Sequence, residues 1–242
     1  MMRVNLYAVL VDALDHGRAL ADCRSLLSVE ELSRQERFIF ERNRREFVYA
    51  HALVRLALSR HAPDVAPDEW QFSVGVHGRP SIVGPKKTPE LHFNLSHTSG
   101  LVACVVADRP LIGVDVESVD RADSTMEIAE RFFAPSDLEL LRCAPLETRR
   151  EWFLRLWTLK ESYIKARALG LALPLDQFWF LFRTRGKIEI EFGPGIIDTP
   201  SRWCFGERQP TPKHWLAVAV GAAQRGHWLL DLVEHSIHMG RP

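Results

Sequence analysis

Asp115 and Glu117 stand two residues apart in an apolar, β-rich run, LIGVDVESVD (residues 111–120). Strand alternation puts Leu111, Gly113, Asp115 and Glu117 on one side and Ile112, Val114 and Val116 on the other. Two like charges side by side cost free energy unless something positive lies between them. A bound metal ion would answer that; a solvated strand end would equally account for the pair. Downstream, WTLKESYIK (157–165) places Glu161 and Lys165 four residues apart on one helix face, with Trp157 a turn earlier. An ordinary surface Glu–Lys pair has the same spacing and contributes about 0.2–0.5 kcal/mol. Three carboxylates meeting at one point would instead favour a hard cation. Mg²⁺ prefers oxygen ligands, keeps waters and completes its octahedron with substrate phosphate oxygens. A lysine beside it would take the remaining phosphate charge.

Other polar groups could serve an anion. In FNLSH (93–97), Ser96 and His97 leave an apolar strand just before a turn. Neighbours on a strand point to opposite faces, so they do not make a nucleophile–base pair, and no G-x-S-x-G elbow is present. Ser96 and His97 fit better as anion ligands, although a lone histidine can be purely structural. Arginines 34, 37, 42, 44 and 45 crowd one early region, opposed by Glu36 and Glu41. Arg79 sits in a Gly-Arg-Pro turn (78–80). Guanidinium forks suit phosphates, but a solvated helix face would carry most of these arginines just as well. EHSIH, with His235 and His238, has metal-like spacing but lies in the tail and reads as surface.

These residues need elements to position them. After an opening strand, SVEE (28–31) fits a capping box that starts a helix. A second helical stripe runs through Phe47, Ala50, Val54, Ala57 and Leu58 and ends before Pro63. WQFSVGVHGRP predicts a strand into a turn, LHFNLSHTSGLVACVVAD a hairpin bent at 98–100, and LIGVDVE the next strand. A short helix is expected over 126–133. SDLE (136–139) suggests a second capping box. The strongest helical pattern is ETRREWFLRLWTLKESYIKARALG, with Phe153, Trp157, Ile164 and Ala168 as its apolar stripe and Gly170 as its stop. Strands follow at FWFLFR, KIEIEFG, RWCFGE and WLAVAVGA.

The two halves share this order, and HFNLSH…LVACVVA is echoed by RWCFGE…HWLAVAV. The expected fold is therefore α+β, a pseudo-duplication of two similar halves, 1–108 and 109–242. Each half would pack a long helix on a small antiparallel sheet, with the active site at their seam.

Composition narrows the classes of function. The chain has 242 residues, 46% hydrophobic and 26% charged, with zero formal net charge. Such a balance disfavours a non-specific nucleic-acid binder. Only six of the 31 basic residues are lysines, which makes a lysine at a motif position more noticeable. The four cysteines are widely spaced without a zinc pattern and read as reduced thiols. No apolar run approaches membrane-spanning length, and the opening residues lack a signal-peptide cleavage pattern. A soluble, cytoplasmic protein without nucleic-acid or membrane partners is expected.

The motifs GRP (78–80), FNLSH (93–97), IGVDVE (112–117), IAERFF (128–133) and LWTLKESYIKARALGLALPL (156–175), in this order and spacing, resemble the surfactin-synthetase-activating type of 4′-phosphopantetheinyl transferase. The likeness runs from about residue 30 to about residue 220 and is loosest in the N-terminal third. It implies transfer of 4′-phosphopantetheine from coenzyme A to a serine of an apo acyl or peptidyl carrier protein, with release of 3′,5′-ADP. Carriers of secondary-metabolite synthesis are among the implied partners. Asp115, Glu117 and Glu161 match the family's magnesium ligands, and Glu161 also matches its general base. Lys165 matches the lysine on the pyrophosphate, and Ser96 and His97 match phosphate contacts. The Gly-Arg-Pro turn corresponds to the loop beside the adenine and 3′-phosphate, where family members often carry lysine in place of Arg79. The N-terminal lysines that some members use for the 3′-phosphate are missing; Arg34 or Arg37 would substitute. Two halves in one chain would let a monomer act alone. Two rival readings are a metal-dependent hydrolase of phosphoanhydrides and a non-catalytic binder of acidic proteins.

Overall fold

The computed structural model describes residues 2–75, 78–86, 88–120, 125–170, 173–222 and 230–239. The polypeptide forms two compact units. One contains Val4–Pro110 with Leu232–Pro242, and the other Leu111–Asp231 with Met1–Arg3.

The N-terminal unit opens with strand β1 (Met2–Leu10) and helices α1 (Arg18–Arg24), α2 (Val29–Glu36) and α3 (Glu41–His61). The expected capping box is present: the Glu31 backbone N–H donates to Ser28 Oγ, and the Ser28 N–H donates to Glu31 Oε2. On α3, Phe47, Ala50, Val54, Ala57 and Leu58 are all buried, as the helical spacing requires. A small hairpin follows, β2 (Gln71–Val74) with β3 (Pro80–Gly84), and then a long one, β4 (His92–Thr98) with β5 (Leu101–Ala107). Gly100 sits at the bend with φ +83°, a left-handed conformation that glycine adopts without a Cβ penalty. Strand β5 is buried along its whole length and pairs with β1 on its other side.

The C-terminal unit starts with β6 (Ile112–Ser118), followed by α4 (Thr125–Phe132), α5 (Pro135–Cys143) and α6 (Leu146–Arg167). Next come the hairpin of β7 (Phe178–Phe182) and β8 (Ile188–Phe192) and the hairpin of β9 (Trp203–Thr211) and β10 (His214–Gly221). Strand β10 returns to pair with β6. The sheets run β1-β5-β4 and β6-β10-β9, with a separate two-stranded hairpin in each unit. Both units thus read strand, long helix, small hairpin, then a long hairpin whose second strand lies beside the first strand. The fold is α+β and internally duplicated in topology.

Three local expectations are corrected. SDLE does not cap a helix: α5 starts at Pro135 with Ala134 as N-cap, which puts Ser136 inside the first turn. Proline at the first helical position displaces the start because its missing N–H costs nothing there. Helix α6 ends before Gly170. Ala168 is already left-handed at φ 53°, and Gly170 is a second left-handed residue. The tail is not bare surface. Residues Leu230–His235 form β11, which joins the edge of β1. There the His235 ring stacks on Tyr7, with centroids 5.0 Å apart, and its Nε2 lies 2.8 Å from Asn5 Oδ1. A six-residue run of mixed polarity carries little alternation to mark it as a strand.

Candidate active site

Helix α6 lies against the β6–β10 face and comes very close to it at Gly113. A Cβ on Gly113 would come within 2.1 Å of the Ser162 carbonyl oxygen and 2.6 Å of the Ala166 nitrogen. Across the ladder, Gly113 pairs with Ala219 and Asp115 with Ala217. Antiparallel partners share a face, so this surface is a floor of small residues. Asp115 and Glu117 continue along it as the strand leaves Gly113, as the alternation requires.

Both carboxylates are 5% exposed. Lys165 reaches down from α6, and its Nζ donates to Asp115 Oδ1 at 2.7 Å while the side chain keeps 28% of its exposure. Among the described residues, Asp115 Oδ2 and Glu117 Oε2 are buried oxygen atoms that accept no hydrogen bond. Burying two like charges side by side is costly unless cations compensate them. The donor set is chemically suited to a hard divalent cation, since one or two carboxylates with waters and substrate phosphates suffice for Mg²⁺. Glu161 is half-buried, one turn before Lys165 on the same face of α6. Among the described residues, no three His, Cys, Asp or Glu side chains stand close enough together to hold a metal ion by themselves.

The remaining candidates belong to the N-terminal unit. The β4–β5 ladder runs without a break from His92 to Thr98, so Ser96 and His97 point to opposite faces. Ser96 is buried. His97 shares its face with the core residues Phe93 and Leu95, and its Nδ1 is 3.8 Å from Glu46 Oε2 of α3. Arg34 lies in the last turn of α2 with its guanidinium 5.7 Å from the Phe47 ring centroid. Arg37 is the exposed C-cap residue of the same helix. Arg79 donates from Nη2 to the Pro110 carbonyl at 2.9 Å, and partial burial pulls its guanidinium pKa below the ordinary value.

Two family models match the chain. One is described as the 4′-phosphopantetheinyl transferase superfamily and matches residues 111–219, the span that holds β6 and α6; the other is described as the 4′-phosphopantetheinyl transferase N-terminal region and matches residues 17–109. The 4′-phosphopantetheinyl transferase HetI of Nostoc sp. is 36% identical over 204 residues, 83% of this chain and 81% of its own. The chain belongs to the 4′-phosphopantetheinyl transferase superfamily. Further relatives agree. The 4′-phosphopantetheinyl transferase Sfp of Bacillus subtilis is 32% identical over 69% of this chain and 71% of its own. A putative 4′-phosphopantetheinyl transferase of Synechocystis sp. is 27% identical over 81% of this chain and 80% of its own. The protein is therefore an enzyme of this superfamily. Among its described residues no helix is long and apolar enough to cross a membrane.

One buried tie in this transferase is not evident from the sequence. Lys160, one residue before Glu161, is fully buried. It donates to the Leu175 and Phe178 carbonyls at 2.9 and 2.6 Å and forms an ion pair with Asp137 Oδ2 at 2.7 Å. Burial pushes the Lys160 pKa down and the Asp137 pKa up, against their mutual attraction. The scarcity of lysine in this chain was the available signal, but periodicity alone assigns Asp137 to the start of α5.

Proposed function

We propose that this transferase moves 4′-phosphopantetheine from coenzyme A to a serine hydroxyl of an apo acyl or peptidyl carrier protein. The observation that carries the reading is the buried Asp115–Glu117 pair on one face of β6, with Lys165 at 2.7 Å from Asp115, inside the span matched by the superfamily. Asp115 and Glu117, joined by Glu161, would hold Mg²⁺, which supplies charge neutralisation at the diphosphate of coenzyme A. The serine Oγ forms a bond to the β-phosphorus, and the bond from that phosphorus to the bridging oxygen breaks. The bridging electron pair leaves with 3′,5′-ADP, and the serine proton passes to the Glu161 carboxylate. The Lys165 ammonium meets the charge that grows on the leaving phosphate. Ser96, His97, Arg79 and either Arg34 or Arg37 would hold the nucleotide phosphates. Exposed arginines would steer an acidic carrier, and the enzyme would work as a monomer in the cytoplasm.

The test is a mass-shift assay on an apo carrier protein with coenzyme A and Mg²⁺. Asp115→Ala is expected to lower transfer by about a hundred-fold or more while its circular dichroism stays that of the parent. Full activity in Asp115→Ala overturns the metal assignment. Hydrolysis of coenzyme A without any carrier would instead support a phosphoanhydride hydrolase.

A further inference from the structure

His97 has a brace behind it that the transfer chemistry does not use. Glu46 on α3 is buried, its side chain only 7% exposed, yet it is a carboxylate facing the exit of β4. Its Oε2 lies 3.8 Å from His97 Nδ1, and its Oε1 lies 3.7 Å from Nε of Arg42, one turn earlier on the helix. Among the described residues, Glu46 Oε1 accepts no hydrogen bond. Arg42 spans the gap to the hairpin bend, donating from Nη1 to Ser99 Oγ at 3.2 Å. The three groups thus tie the first turns of α3 to both sides of the bend that carries His97. The His97 side chain itself keeps 40% of its exposure.

An acidic group has no direct use beside a phosphate site. Placed behind a histidine, it fixes where the ring sits and which way it points. We propose that Glu46, held by Arg42, is a positioning residue that aims His97 at a phosphate group of coenzyme A. This rests on the reading of His97 as a phosphate ligand. Glu46 acts on nucleotide binding through His97 and takes no part in the transfer step.

The experiment is a mutant cycle of Glu46→Gln, His97→Ala and the double variant, with KM for coenzyme A and kcat measured on an apo carrier protein. Glu46→Gln should raise KM about five-fold with kcat unchanged, and should add nothing in the His97→Ala background. If His97→Ala leaves KM unchanged, the phosphate role of His97 fails, and this proposal with it. If His97→Ala raises KM but Glu46→Gln does not, or raises it by the same factor with and without His97, the brace alone is overturned. Should Glu46→Gln not fold, Arg42→Gln replaces it in the cycle. Its KM effect must likewise vanish without His97, and persistence of that effect overturns the proposal.

Discussion

Two lysines five residues apart on one helix do different work, and their surroundings say which is which. Lys160 is enclosed by two carbonyls, the Asp137 carboxylate and the rings of Phe133 and Phe178, so it has no donor to offer a substrate. Lys165 keeps part of its surface open to solvent and donates to Asp115 of the acidic pair. Removing one partner of a buried ion pair leaves the other charged and unsolvated. Lys160→Met should therefore cost about 3–5 kcal/mol of stability, and pairing it with Asp137→Leu should recover most of that loss. Urea unfolding of the three variants measures this directly. If Lys160→Met unfolds like the parent, the pair is not a structural tie.

At the scale of elements, the site depends on how closely α6 can lie on β6. Gly113 is the residue that sets this distance, since its missing Cβ is where the Ser162 carbonyl passes. Ala219 opposite it and Ala166 above it keep the contact small on both sides. Gly113→Ala must push the helix away, because the clash is with backbone and no rotamer change relieves it. An overpacked contact of this kind costs about 1–3 kcal/mol or more. Transfer activity should fall further than stability does, because Lys165 and Glu161 ride on the displaced helix. A thermal melt and the carrier mass-shift assay, run on the same sample, separate the two losses. Equal activity in Gly113→Ala would mean that the helix–strand spacing does not set the site.

At the scale of the whole molecule, each unit carries its own long-range ties. In the N-terminal unit, Glu31 joins α2 to α3. It accepts a hydrogen bond from the Ser28 N–H, lies 2.9 Å from His51 Nδ1, and takes Arg55 Nη2 at 2.6 Å. Burial works to raise the Glu31 pKa, but the His51, Ser28 and Arg55 interactions outweigh it and hold the carboxyl at about 2, against an ordinary 4.5. A carboxyl lowered in the folded state contributes stability that is complete above the unfolded value and lost as pH falls through the folded one. Stability should therefore drop between about pH 4.5 and pH 2 by an amount on the order of 3 kcal/mol from this group. Glu31→Gln should show a correspondingly smaller drop in acid melts. An unchanged acid profile would remove Glu31 from this role. Much of this architecture was readable beforehand. The capping box at Ser28, the stripe on α3, the two long hairpins and the strand-face placement of Asp115 with Glu117 all follow from local periodicity and turn chemistry, which neighbours in sequence decide. The strand at the tail and the burial of Lys160 with Asp137 did not follow, because each depends on partners tens of residues away or more; the start of α5 at Pro135 and the stop of α6 at Ala168 are local, but competing cap signals at Ser136 and Gly170 hid them. Which residues are chemically able to act, and which faces they share, can be read from the chain alone, since alternation and helical spacing are local properties. That Lys165 meets Asp115, that Gly113 is the contact with α6, and that Glu46 lies beside His97 come from folding. Those are distances between segments, and they are set by packing.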